Sequence, residues 1–219
     1  YLLTCAMLLT APVISSTPTT ETYLKDAADL YRRGEYSAAV IQVKNVLLLN
    51  PDDAQAHLLL GKIHLKTGDA VTASRELGLA RELGIDESEW LAPLARAYLA
   101  LGRSDDAIRL LSADRGYPDR LQAELLQLQG QAYVRKQQFA EAAKRFSAAL
   151  ALDPESVEAM LGKAYVDMRQ GNNRSADELV GRVLAIEPDN SIAWTRKGEL
   201  LMRSGDMQEA LAALQEALA

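Results

Sequence analysis

Residues 123–156 read AELLQLQGQAYVRKQQFAEAAKRFSAALALDPES, with Leu126, Gly130, Tyr133, Phe139, Ala142, Phe146, Ala149 and Pro154 at places 4, 8, 11, 17, 20, 24, 27 and 32 of the stretch. The same spacings recur on both sides of it with a period of 34 residues, in units starting at positions 20, 54, 88, 123, 157 and 191. Place 8 holds Ala27, Gly61, Ala95, Gly130, Ala164 and Gly198, and place 20 holds Ala39, Ala73, Ala107, Ala142, Ala176 and Ala210. Place 15 holds Gly34, Gly68, Gly102, Gln137, Gly171 and Gly205. Such self-similarity marks a repeat architecture, in which each unit buries its apolar face against its neighbours.

The columns describe two antiparallel helices per unit. Small residues at places 8 and 20 let helix A and helix B of one unit approach closely, and larger apolar residues fill the space to the next. Glycine at place 15 ends helix A, because a residue without Cβ takes the left-handed conformation at low cost. Pro51, Pro154 and Pro188 near place 32 end helix B, since proline lacks a donor and disfavours helix at the residue before it.

Pattern and period resemble those of the tetratricopeptide repeat from about Thr20 to Ala219. The resemblance implies an all-α, right-handed superhelical solenoid of helix-turn-helix units, with repeats at 20–53, 54–87, 88–122, 123–156, 157–190 and an incomplete 191–219. It also implies that places 2, 5, 9, 12 and 13 of the A helices line a concave groove. Carried over, column 13 reads Arg32, Lys66, Ala100, Arg135, Arg169 and Arg203, five of them basic, and column 9 supplies Lys62, Arg96, Gln131 and Tyr165. Column 2 reads Glu21, Gln55, Glu89, Glu124, Glu158 and Ile192. Arginine holds carboxylate or phosphate through a two-pronged donor fork, so this track suits a protein or peptide ligand, or an anionic polymer such as a polysaccharide. A second physical reading of the same columns is that acids in first turns and bases in last turns complement helix dipoles, by roughly 0.3–1 kcal/mol each.

Composition sets outer limits. The 219 residues are 48% hydrophobic and 25% charged, enough apolar material for a continuous stacked core. A net charge of -6 argues against bulk binding to nucleic acid, which needs a basic footprint. One cysteine allows no internal disulfide. No cofactor motif emerges: Gly61-Lys62 and Gly162-Lys163 lack the rest of a phosphate-binding loop, no Gly-x-Ser-x-Gly element occurs, and the acidic residues read as scattered over exposed places. His57 and His64, at places 4 and 11, read as core positions with no carboxylate to complete a metal set. The chain reads as non-enzymatic.

Residues 1–19 are uncharged and apolar from Tyr1 to Ile14. At about 14 residues the run is too short to span a bilayer and suits the core of a secretory signal. Two alternatives stand beside it: an apolar cap on repeat 1, or a lipobox, Leu2-Leu3-Thr4-Cys5, in which Cys5 is lipidated and serves as an N-terminal anchor. In repeat 3, Pro93 is expected to kink or delay helix A. Asp114, Gly116, Tyr117 and Pro118 are expected to cut helix B short, with a change of pitch or a hinge between repeats 3 and 4. The last unit stops inside helix B, which leads us to expect further sequence past Ala219.

A narrower resemblance rests on Tyr36-Ser-Ala-Ala-Val-Ile-Gln-Val-Lys-Asn45, Asn50-Pro-Asp-Asp53, Leu59-Leu-Gly-Lys-Ile-His-Leu-Lys-Thr-Gly-Asp69 and Leu91-Ala-Pro-Leu-Ala-Arg96. These segments are similar to the opening repeats of tetratricopeptide lipoproteins that accompany exosortase (PEP-CTERM) protein sorting and exopolysaccharide systems of Gram-negative bacteria. That resemblance implies export to the periplasm or the outer membrane and a scaffold role. Its rival is a repeat arm of a larger enzyme or transfer machine whose catalytic domain follows residue 219, and a cytoplasmic co-chaperone is a third reading.

Overall fold

A computed structural model describes residues 19–112 and 116–218. The expectations for the apolar N-terminal segment, for Cys5 and for Asp114 lie outside the described residues. Twelve helices and no strand occur among those described: α1 (Thr20–Arg32), α2 (Tyr36–Leu49), α3 (Ala54–Lys66), α4 (Ala70–Glu82), α5 (Glu87–Ala100), α6 (Ser104–Leu110), α7 (Asp119–Arg135), α8 (Phe139–Leu152), α9 (Val157–Gln170), α10 (Asn173–Ile186), α11 (Ser191–Ser204) and α12 (Met207–Glu216). Odd-numbered helices are the A helices and even-numbered ones the B helices.

Starts and stops follow local chemistry. Asp53, Asp69, Ser156 and Asn190 each accept a hydrogen bond from the amide three residues on, satisfying a donor that the first helical turn leaves orphaned. All six residues at place 15 adopt positive φ, from 58° at Gln137 to 96° at Gly205. Gln137 is the only non-glycine among the described residues to do so.

Every helix touches only those one or two elements away, so among the described residues no distant hairpins meet and the array is a right-handed superhelical solenoid rather than a bundle. The pattern of contacts also separates inside from outside. Each A helix packs on the A helix of the next repeat, α1 on α3 through α9 on α11, whereas no B helix touches another B helix. The A helices therefore form the tight inner row and the B helices splay outward.

Within a repeat, a small residue at place 8 faces a larger apolar one at place 24. Gly61, Gly130 and Gly198 stand against Leu77, Phe146 and Leu214, where an added Cβ would lie 2.6–2.7 Å from a side-chain carbon. Ala27, Ala95 and Ala164 share their clusters with Val43, Leu111 and Val180. Phe146 is fully buried and is clamped from its other side by Gly162 of the next repeat. Place-20 alanines are all sealed in the interior.

Repeat 3 departs from the frame. Helix α5 runs unbroken from Glu87 through Pro93 to Ala100, so the proline does not delay it. Its missing N–H leaves the Glu89 carbonyl without the usual helical donor. Helix α6 is only 7 residues long, and α7 compensates by starting at Asp119, four residues ahead of the repeat frame, to reach 17 residues. Tyr117 and Leu121 pack where the rest of a B helix would lie, against the cluster that runs from Leu58 to Ala132. The side-chain amide of buried Gln129 donates to the carbonyl of Leu111, closing the end of the short helix. The inner row stays continuous across this junction through the contact of α5 with α7.

Candidate functional site

The last turns of the A helices turn one row of side chains toward the inside of the superhelix. In the middle of the array, α1, α3, α5, α7 and α9 enclose a cavity of about 630 Å³. Its lining brings together five residues singled out by the columns: Lys62, Lys66, Arg96, Gln131 and Arg135. Tyr31, Leu65 and Leu99, all at place 12, supply apolar wall, joined by Pro93 and Ala100, and Glu158 stands on the far rim. The unread place-12 column contained that wall, and Pro93, disfavoured by helix rules, is part of it.

Charge here runs against the chain as a whole. Among the described residues, the side chains of Lys66 and Arg135 make no hydrogen bond or ion pair. Arg96 reaches across to Glu124 at 2.9 Å, joining α5 to α7. Partial burial holds the Lys62 ammonium below its ordinary pKa, partly offset by the charge of Glu89. Glu124 sits in the second turn of the lengthened α7, so the dipole reading of column 2 does not account for it, and the ion pair does.

Lys62 also borders a second cavity, of about 460 Å³, nearer the start of the array. Leu24, Ala28, Leu58 and Leu59 make this one mainly apolar, with Glu21 and Glu89 at its edge balanced by Lys25 and Lys62.

The remaining candidates lie apart from these cavities and are engaged elsewhere. Arg32 is ion-paired to Asp29 in its own helix. Arg169 places its guanidinium 5.4 Å from the ring of Phe139, and Tyr165 is flanked by Phe139 and by Arg196, the latter at 4.7 Å. Arg203 donates to the Met168 carbonyl at 2.6 Å, capping the end of α9 from the following repeat. Of the candidate cations, those without an ion pair or hydrogen bond among the described residues are therefore Lys62, Lys66 and Arg135, while those of repeats 5 and 6 are spent on the fold.

Two expectations about polar groups are corrected. Acidic residues are not confined to the surface: Glu76 and Asp167 are buried. Asp167 is held by Lys163 at 2.5 Å and by the Ser175 hydroxyl at 2.8 Å, which shows why Lys163 follows Gly162. Nor is His57 without a carboxylate, since its Nδ1 lies 2.7 Å from Glu76 and its Nε2 donates to the Pro51 carbonyl at 2.9 Å. His64 likewise has Asp69 at 3.4 Å. Both carboxylates come from helix B or the turn before it, where sequence spacing from the histidines gives no signal. No group of three or more candidate metal ligands occurs among the described residues, and no helix among them is long and apolar enough to cross a membrane.

Comparisons with known proteins agree with this architecture. Two profiles described as "Tetratricopeptide repeat" match residues 24–82 and, in overlapping copies, 133–197 and 168–219. The chain is similar to tetratricopeptide repeat protein 8 of Caenorhabditis elegans, 32% identical over 111 residues that make up 51% of this chain and 22% of that protein. The match thus spans about a fifth of that relative's length. Among solved structures, PilW, a type IV pilus biogenesis factor, aligns over 93% of this chain and 100% of its own at a TM-score of 0.78 and 18% identity. YrrB, a tetratricopeptide-repeat protein with an unusual peptide-binding site, aligns over 83% of this chain and 93% of its own at a TM-score of 0.60 and 19% identity. At such identities the likeness is one of fold.

Proposed function

We propose, from the fact that the chain belongs to the tetratricopeptide-repeat family, that it is a non-catalytic scaffold whose inner groove captures an extended segment of another polypeptide. Proteins of this family generally bind protein partners and lack chemistry of their own. The observation that carries the reading is the central cavity, where an apolar wall and four cationic side chains from three successive A helices face one open space. Backbone in extended form, with alternating side chains, fits a surface that repeats along its length. We place this activity on the outer side of the bacterial inner membrane, in exosortase-type protein sorting and exopolysaccharide secretion. Support for that setting comes from the similarity of residues 36–45, 50–53, 59–69 and 91–96 and from the uncharged apolar run at the start of the chain.

The test is capture from envelope extract by residues 20–219, with Lys66→Glu/Arg135→Glu as the control. These two side chains have no partner among the described residues, unlike Arg203, so reversing them is expected to spare the stack. The expected result is one or a few exported polypeptides held by the native protein and lost by the variant, with unchanged thermal unfolding. Retention of the same polypeptides by the variant overturns the assignment to the groove, and partners drawn only from the cytoplasm overturn the setting.

A further inference from the structure

We infer that the groove selects a segment in which an apolar side chain adjoins several acidic ones, the apolar group seated against Leu24, Leu58 and Leu59 and the carboxylates against Lys62, Lys66 and Arg135. This rests on the groove reading above and adds to it the chemistry and the polarity of the ligand.

Three observations fix that chemistry. First, Lys66 and Arg135 have no partner among the described residues, and Lys62 is partly desolvated with no hydrogen bond of its own. A carboxylate brought beside such cations restores the interaction that desolvation removed, whereas a basic segment is repelled. Second, the neighbouring cavity is apolar inside, and the charges at its rim balance, Glu21 and Glu89 against Lys25 and Lys62. The cationic excess lies in the central cavity, where Lys62, Lys66, Arg96 and Arg135 outnumber Glu158, so carboxylates favour that side and the apolar group the other, which gives the bound segment one orientation along the superhelix. Third, Lys62 and Lys66 on α3 and Arg135 on α7 line the cavity from two helices, with α5 between them, rather than gathering at one point. Such spacing suits a row of side-chain carboxylates more than a single chain terminus. In a protein of net charge -6 the local reversal of sign also favours the approach of acidic segments to this part of the surface.

Fluorescence anisotropy with labelled peptides of about ten residues, long enough to span both cavities in extended form, tests the inference. One peptide carries a leucine beside three glutamates, a second has glutamine for each glutamate, and a third has lysine. The acidic peptide is expected to bind about ten-fold or more tightly than the glutamine peptide, with the gap closing as salt is raised. The gap is also expected to vanish in Lys66→Gln/Arg135→Gln, and amidation of the peptide's C-terminus is expected to change nothing. Equal binding of the acidic and glutamine peptides overturns the acidic assignment and leaves the groove reading standing. No binding of any of the three, together with no captured polypeptide, overturns both. Displacement of the acidic peptide by a polyuronate oligosaccharide at lower concentration than by unlabelled peptide overturns the polypeptide assignment in favour of a polysaccharide.

Discussion

Phe146 shows at a single residue how the stack is specified. Its ring lies between Gly130 of its own repeat and Gly162 of the next, with no room for a methyl group on either. Gly130→Ala is expected to destabilise by about 1–3 kcal/mol in urea unfolding, because a close-packed interior yields only by straining rotamers or backbone. Phe146→Val in the same chain is expected to recover part of that loss, since valine is what the alanine-bearing repeats 1 and 5 use at this place; fully additive losses would contradict the pairing. Gln137 is the converse case, a side chain at a turn where the other five repeats have glycine. Gln137→Gly is expected to raise stability by roughly 0.5–1 kcal/mol, the left-handed penalty relieved less the entropy glycine adds to the unfolded chain; a loss would contradict it.

Among the elements, the close contact of helix A with helix B is the one to probe. Ala142→Leu, at a fully buried place 20 of α8, is expected to cost about 1–3 kcal/mol, while Ala100→Leu, exposed at the end of α5, is expected to cost little. Equal effects would mean that the faces are misassigned. The helix caps add a pH dependence. Hydrogen bonds from the Thr72 hydroxyl and amide hold the Asp69 carboxyl below its ordinary range, and Ser88 does the same for Asp86. A carboxyl with a lowered folded pKa contributes stability above its unfolded value and loses it as pH falls through the folded one. Thermal unfolding temperature is therefore expected to drop progressively below about pH 4, the ordinary carboxylate range, and Asp69→Asn is expected to flatten part of that fall. Most element boundaries were legible because glycine, proline and cap residues act locally. The four extra residues of α7 follow a local signal, Pro118-Asp119 at the helix start, that the 34-residue frame does not contain. For buried Asp167 only half the pairing is legible: Lys163 stands four residues earlier on the same helix, whereas Ser175 comes from the next helix.

Across the whole molecule, the columns identified an inner face but not which part of it is free. Nine side chains looked equivalent by position, yet the structure gathers Lys62, Lys66, Arg96, Gln131 and Arg135 around one cavity and commits Arg169 and Arg203 to internal contacts. That distinction depends on what the neighbouring repeat offers, which periodicity alone does not encode. The lengthened α7 carries Gln131 and Arg135 at its end, so the irregular part of the stack forms one wall of the cavity and the regular α3, with Lys62 and Lys66, forms another. Site-specific photo-crosslinking in the producing cell tests this arrangement most directly, with the crosslinking residue placed either at Ala100, on the inner groove, or at Val71, exposed on the B-helix side. Capture of a defined polypeptide from Ala100 and not from Val71, abolished by Lys66→Glu/Arg135→Glu, is the predicted result. Capture of that polypeptide from Val71 alone, or from both positions alike, would contradict the assignment of function to the inner face.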